Sequence, residues 1–167
     1  MLIETLVPPV KTKRYNHQHG CFEVSNEMEK HGLKDKFAVG IIDNDKKKAK
    51  YLMQFVEIDK IEEVIKLYKH KSQPQYYIEI NPAIETWMLK VCADEQIDIV
   101  NDFGLSNDLK ELKRITKSQT TTKDKRFIEL FLRFKRSENK SVLKLIRWIE
   151  LLKNKNYNVD INELRNA

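Results

Sequence analysis

The chain has 167 residues, 34% of them charged, and a formal net charge of +6. That length can bury a core without disulfide or metal staples. Its two cysteines, Cys21 and Cys92, stand 71 positions apart in no CxxC or Cys/His spacing. No run approaches the ~20 apolar residues of a membrane helix and no basic-plus-apolar leader opens the chain, so the reading is a cytoplasmic protein with no membrane contact. The charge is uneven: residues 1–100 carry 15 Lys+Arg against 16 Asp+Glu, and residues 101–167 carry 16 against 9. Such asymmetry fits a polyanion partner, or equally lysine-rich solvated helix faces.

In chain order, "MLIETLV" reads as a short strand broken at Pro8-Pro9. "KTKRYNHQHG" reads as a polar loop, in which His17 and His19 are a weak metal or phosphate pair. "CFEVSNEMEKHG" has Phe22, Val24 and Met28 near helical spacing, with Gly32 as a helix stop. Phe37 to Ile42 is a nearly continuous apolar run, the pattern of a central strand covered on both faces. From Lys46 to Lys71 the recurrence of Ile61, Val64, Ile65 and Tyr68 predicts a helix. "QYYIEI" is a second strand, its tyrosines pointing one in and one out. Asn81-Pro82 then starts a helix, Asn as cap and Pro at the first position, with Ile84, Trp87, Met88 and Val91 on one face.

Beyond Gly104 every element reads as helical. Ser106 caps a helix carrying Leu109, Leu112 and Ile115; Phe127, Leu130, Phe131 and Phe134 form the next stripe; Val142, Leu145, Ile146, Ile149 and Leu152 form the last. Trp87 and Trp148 fall at apolar helical spacing and read as core. The pattern predicts an α/β domain over residues 1–104, a small, mostly parallel sheet with crossover helices, followed by a basic helical extension over 105–167.

Ligands of open parallel sheets bind at the carboxyl ends of the strands. Three predicted strand ends carry acids here: Glu4, the pair Asp43 and Asp45, and Glu85 just beyond the third. Asp43 and Asp45 are two apart, so on an extended chain they point the same way. Side-by-side carboxylates repel unless protonated or bridged by a cation, and Mg²⁺ or Mn²⁺ suits them. Each acid also has a structural reading. Asp-Asn-Asp makes a turn, Glu4 can be an exposed strand residue, and Glu85 can favour the positive end of its helix. Lys46, Lys47, Lys48 and Lys50 would screen a phosphate, or form a solvated turn. Phosphate-cradling GxxxxGK[ST] and GxGxxG loops, HExxH and GxSxG are absent from a sequence with four glycines.

Glu4 in "LIET" and Asp43-Asn44-Asp45 in "GIIDND" resemble the metal-binding acids of the Toprim fold, found in topoisomerases, primases and overcoming-lysogenization-defect-type nucleases. "INPAIETWML", with Asn81, Pro82, Glu85, Trp87 and Leu89, is similar to a stretch of RloB-like proteins, a Toprim-related group associated with anti-phage systems. The resemblance covers residues 1–92. It implies Mg²⁺ or Mn²⁺ held by Glu4, Asp43, Asp45 and Glu85, with Glu4, Asp43 and Asp45 as catalytic residues of phosphodiester cleavage or transfer on DNA or RNA. It also implies a setting in phage defence or a mobile element, with an ATPase as a candidate partner. Lys46, Lys110, Lys113, Arg114, Lys117, Lys123, Lys125 and Arg126 would then hold the nucleic-acid backbone. A haloacid-dehalogenase-type phosphatase also uses DxD, but expects a small hydroxyl residue where Lys47 stands. The alternative from another class is a non-catalytic module binding nucleic acid or a partner protein on a degenerate Toprim-like fold.

Overall fold

A computed structural model describes residues 1–10, 15–18, 20–44, 48–117 and 124–167. The expected site residues Asp45, Lys46 and Lys123, together with Lys47 and His19, lie outside the described residues. The chain forms two compact units. The first comprises Met1–Tyr15 with Glu85–Ile146, and the second comprises Asn16–Ile84 with Arg147–Ala167. The expected boundary at 104/105 falls inside the first.

The second unit is built on four strands: β1 (Ala38–Asp43), β2 (Phe55–Ile61), β3 (Ile65–His70) and β4 (Gln75–Ile80), in spatial order β1-β4-β3-β2. Only β1 and β4 run parallel; β4–β3 and β3–β2 are antiparallel. The sheet is therefore mixed and mostly antiparallel, which corrects the expectation of a mostly parallel one. The cause is the segment expected as a helix over Lys46–Lys71, which instead folds into a 3₁₀ turn at Lys50–Gln54 and the hairpin β2–β3. Ile65 and Leu67 alternate into the core at 0% exposure, and that period of two outweighs the helical coincidence of Ile61, Val64, Ile65 and Tyr68. Glu62 takes a positive φ of 49° in the connecting turn, which closes with Val64 N–H donating to the Ile61 carbonyl at 3.1 Å.

The apolar run ending in Asp43 is an edge strand, not a central one. β4 and β3 hold the interior places, and all six residues of β4 are buried. Tyr76 and Tyr77 are both buried, on opposite faces, so neither ring points out to solvent. One face of the sheet carries Gly40, Tyr77 and Tyr68, covered by α2 (Cys21–Glu29) and the Lys50–Gln54 turn around Met28, Tyr51, Leu52 and Phe55. Gln75 ties these layers together from inside: its Oε1 accepts from Tyr51 Oη at 2.7 Å, and its Nε2 donates to the carbonyls of Met28 and Leu33 at 3.0 Å. At the C-terminal end of the chain, α7 (Ile161–Asn166) packs on β2. Trp148 Nε1 donates to the Leu164 carbonyl at 2.9 Å.

The first unit is helical. The opening residues expected as a strand form α1 (Leu2–Leu6), because Leu2 and Leu6, four apart, bury one face against α5 (Lys125–Lys135). α3 (Ile84–Asp94) and α4 (Leu109–Thr116) complete the unit, along with the start of α6 (Lys140–Lys155), which continues into the second. Phe127, Leu130, Phe131 and Phe134 are buried along α5, and Trp87 Nε1 donates to Ser141 Oγ at 2.9 Å. The cap of α4 is Asp108 rather than Ser106. Asp108 accepts from the Glu111 N–H, while Ser106 Oγ accepts from the Asp108 N–H. No helix among the described residues is long and apolar enough to cross a membrane.

Candidate functional site

The carboxyl ends of β1 and β4 meet at one sheet edge, beside the β2–β3 turn. Asn44 N–H extends the β1–β4 ladder to the Ile80 carbonyl at 3.0 Å, and Asn81 N–H reaches the Val64 carbonyl at 2.8 Å. Asn44 Nδ2 donates to Asn81 Oδ1 at 2.7 Å, and Asn81 Nδ2 donates to the Glu63 carbonyl. Asn81 is therefore committed to the sheet edge and does not cap α3 as expected. Asn81–Pro82 is a cis bond, and the helix begins at Ile84. The group that receives the Ile84 N–H is Asp43, whose Oδ1 lies 3.0 Å from it. The acid at the mouth of β1 thus closes the start of α3 from across the sheet edge, where a negative charge is favoured.

The other described acids of the expected metal site also have protein partners, and they belong to the other unit. Glu4 lies on α1, its Oε2 3.3 Å from the Met1 ammonium. Glu85 is buried in the first turn of α3 and accepts from Thr116 Oγ1. Among the described residues, no group of three or more His, Cys, Asp and Glu side chains is gathered as metal ligands. Of the four expected ligands, Glu4, Asp43 and Glu85 are each engaged with a protein group, and Asp45 lies outside the described residues.

The expected backbone contacts divide into two kinds. Lys110 on α4, Lys117 at its C-cap and Lys125 on α5 are exposed, and Lys113 on α4 is half-buried. Arg114 is held by Glu111, its Nε and Nη2 at 2.9 and 2.7 Å from the two carboxylate oxygens. Arg126 donates to Asp124 at 2.7 Å and to the Gly104 carbonyl at 3.0 Å. Each arginine holds its partner's carboxyl below the usual range, through the hydrogen bond first. His17 is exposed.

Glu79 and His70 are among the buried polar residues that the sequence reading missed. Glu79 on β4 is 2% exposed, and Lys48 Nζ lies 2.7 Å from its Oε2. The contact is an ion pair by distance and charge rather than a well-aligned hydrogen bond, since among the described residues that oxygen has no partner of hydrogen-bond geometry. Lys48 also sits 5.2 Å above the Tyr68 ring, which stacks on Tyr77 at 4.4 Å. Burial, then the charge of Glu79, raises the Tyr68 hydroxyl pKa well above its usual value. One lysine of the basic run after β1 therefore neutralises a buried acid. The signal was present in the sequence, a glutamate between two isoleucines in a strand.

The second is His70, also buried, whose Nδ1 accepts the N–H groups of Ser72 and Gln73, both at 3.0 Å. Compared with family models, with curated proteins and with solved structures, the chain matches none.

Proposed function

We propose that the chain binds nucleic acid, holding the phosphate backbone through the exposed lysines of α4 and α5. The observation that carries this reading is the contrast between Lys110, Lys117 and Lys125, which face solvent, and the expected catalytic acids Glu4 and Asp43, which are engaged with protein groups. The charge balance supports it. The first unit carries 16 Lys+Arg against 11 Asp+Glu and the second 15 against 14, so nearly all of the net charge belongs to the helical unit. Ammonium groups bind phosphates by displacing condensed counterions, and the affinity falls steeply with salt. The test is a chain with Lys110, Lys117 and Lys125 all changed to Ala, titrated with duplex DNA and with single-stranded RNA over a salt series. The expected result is weaker binding and a log–log salt slope shallower by about 2–3. Absence of wild-type binding at low salt, or an unchanged slope, overturns the reading.

One observation favours a second reading. Asp43 stands at the carboxyl end of the parallel pair β1–β4, two residues before Asp45, where α/β sheets place their ligands. On this reading the chain is a Toprim-like, Mg²⁺- or Mn²⁺-dependent nuclease or phosphoryl-transfer protein, working in phage defence or a mobile element beside an ATPase. Asp45→Asn decides between the two readings. It abolishes metal-dependent cleavage if the second holds, because the amide keeps the shape and loses the anionic ligand. It leaves nucleic-acid binding intact if the first holds. No cleavage by wild type, together with no Mn²⁺-linked rise in melting temperature, removes the second reading.

A further inference from the structure

On the second unit, away from the β1–β4 carboxyl edge, the β3–β4 turn and the segment leading into α7 border an open cleft of about 730 Å³. That volume lies in the range of small-ligand sites, roughly 300–1,000 Å³. Three aromatic rings line it. Phe37 packs against Tyr76 at 5.9 Å and against Tyr157 at 5.8 Å between centroids, the latter edge to face. Tyr157 is 61% exposed, yet it is pinned, since its hydroxyl accepts the Phe37 N–H at 2.8 Å. A large aromatic face is thus held open to solvent at fixed orientation, and it has no role in the core.

The charged groups around these rings are mostly cationic. Lys69, Lys71 and Arg165 line the cleft against one carboxylate, Asp160. Lys69 lies 5.8 Å above the Tyr76 ring, and Lys71 is exposed. Arg165 is anchored through Nε to the Ile58 carbonyl at 3.0 Å. Asp160 accepts the Asn162 N–H at 2.8 Å, so the one acid is turned to capping its own segment. A pinned aromatic face bordered by a guanidinium and ammonium groups is the combination that recognises a planar base carrying an anionic phosphate.

We propose that this cleft binds a nucleotide unit, its base stacked on Tyr157 and its phosphate held by Lys71 and Arg165. The site stands on the second unit alone and does not rest on the lysines of α4 and α5. Two sources offer the same chemistry, a free nucleotide and one unit of a single strand.

The test titrates the full chain with AMP, followed by calorimetry, and with a labelled oligothymidylate, followed by anisotropy. Tyr157→Ala should weaken binding by about five- to a hundredfold, as loss of one base–aromatic stack does. Tyr157→Phe keeps the ring but loses the hydroxyl that pins it, and should weaken binding less than Tyr157→Ala does. Lys71→Ala, at an exposed position, should weaken binding and flatten its salt dependence, and it decides the matter if Tyr157→Ala does not fold. AMP binding comparable to that of the oligonucleotide assigns the cleft to free nucleotides; much tighter, Tyr157-dependent oligonucleotide binding assigns it to a strand. The chain with Lys110, Lys117 and Lys125 changed to Ala should keep the Tyr157-dependent component, so failure of the α4–α5 reading is distinguishable from failure here. The proposal is overturned if neither probe responds to Tyr157→Ala and Lys71→Ala. It is also overturned if inorganic phosphate or poly-glutamate competes as well as AMP.

Discussion

Asp43 illustrates how a residue's role depends on a partner far along the chain. Its carboxylate receives the N–H of Ile84, 41 positions away, and so satisfies a donor at the start of a helix. Asp43→Ala should therefore cost about 0.5–2 kcal/mol of stability, while Asp43→Asn, which keeps an acceptor oxygen, should cost less. Urea denaturation of the two variants measures the difference. His70 makes a prediction about pH. Its Nδ1 already accepts two backbone N–H groups, so a proton there would have to expel both. Burial first, and then Lys69 and Lys71, lowers its pKa below the ordinary 6.5. The unfolded chain thus takes up the proton before the folded one. Stability from this group is fully present above pH 6.5 and declines as pH falls from there through the lowered folded value. Melting temperatures between pH 7.5 and about 5 should fall, and His70→Gln should flatten that part of the profile. Neither partnership was legible in the sequence, because the local pattern around Asp43 also fits a turn and His70 has no neighbouring motif.

At the scale of elements, the contact of α2 with β1 depends on one missing side chain. A Cβ placed on Gly40 would lie 2.7 Å from Met28 Sδ and 2.8 Å from Val24 Cγ1. The helix has settled directly on the strand, and a methyl group there must push its side chains aside. Gly40→Ala should destabilise by about 1–3 kcal/mol from overpacking, more than the roughly 0.5–1 kcal/mol that replacing a strand glycine returns. Gly40→Val should cost more still. A lower urea midpoint at unchanged slope would show it; a midpoint equal to wild type would mean that α2 rides higher on the sheet. The elements also show where periodicity is decisive. α5 and α6 carry apolar stripes long enough to have one interpretation, and they are helices. Residues 46–71 hold shorter stretches in which a helical spacing and a strand alternation overlap. There the hairpin wins because β3 pairs with β4 on one side and β2 on the other.

At the scale of the molecule, the two thiols serve as reporters, one in each compact unit. Cys21 lies in the second and Cys92 in the first, and both are buried. Burial pushes the Cys92 thiol pKa up to about 12. Since the thiolate is the reactive form, the native chain at pH 8 should label at Cys92 about a thousandfold more slowly than an ordinary cysteine. Quantifying label at each cysteine by peptide mapping in increasing urea then follows the opening of each unit separately. Rapid labelling of Cys92 without denaturant would contradict the packing of α3.

The sequence by itself determined the helical character of the described elements beyond Gly104, the strands that became β1 and β4, the core roles of Trp87 and Trp148, and the concentration of positive charge. These follow from composition and from periodic stripes, which are local properties of the chain. The tertiary structure alone decided that the sheet is mixed, that α1 is a helix and that Asp43 closes α3. It alone also placed Lys48 on Glu79 and gathered Phe37, Tyr76 and Tyr157 around one cleft. Each of those depends on groups tens of residues apart meeting in space, and one-dimensional spacing carries no information about which distant donor will find a buried acceptor.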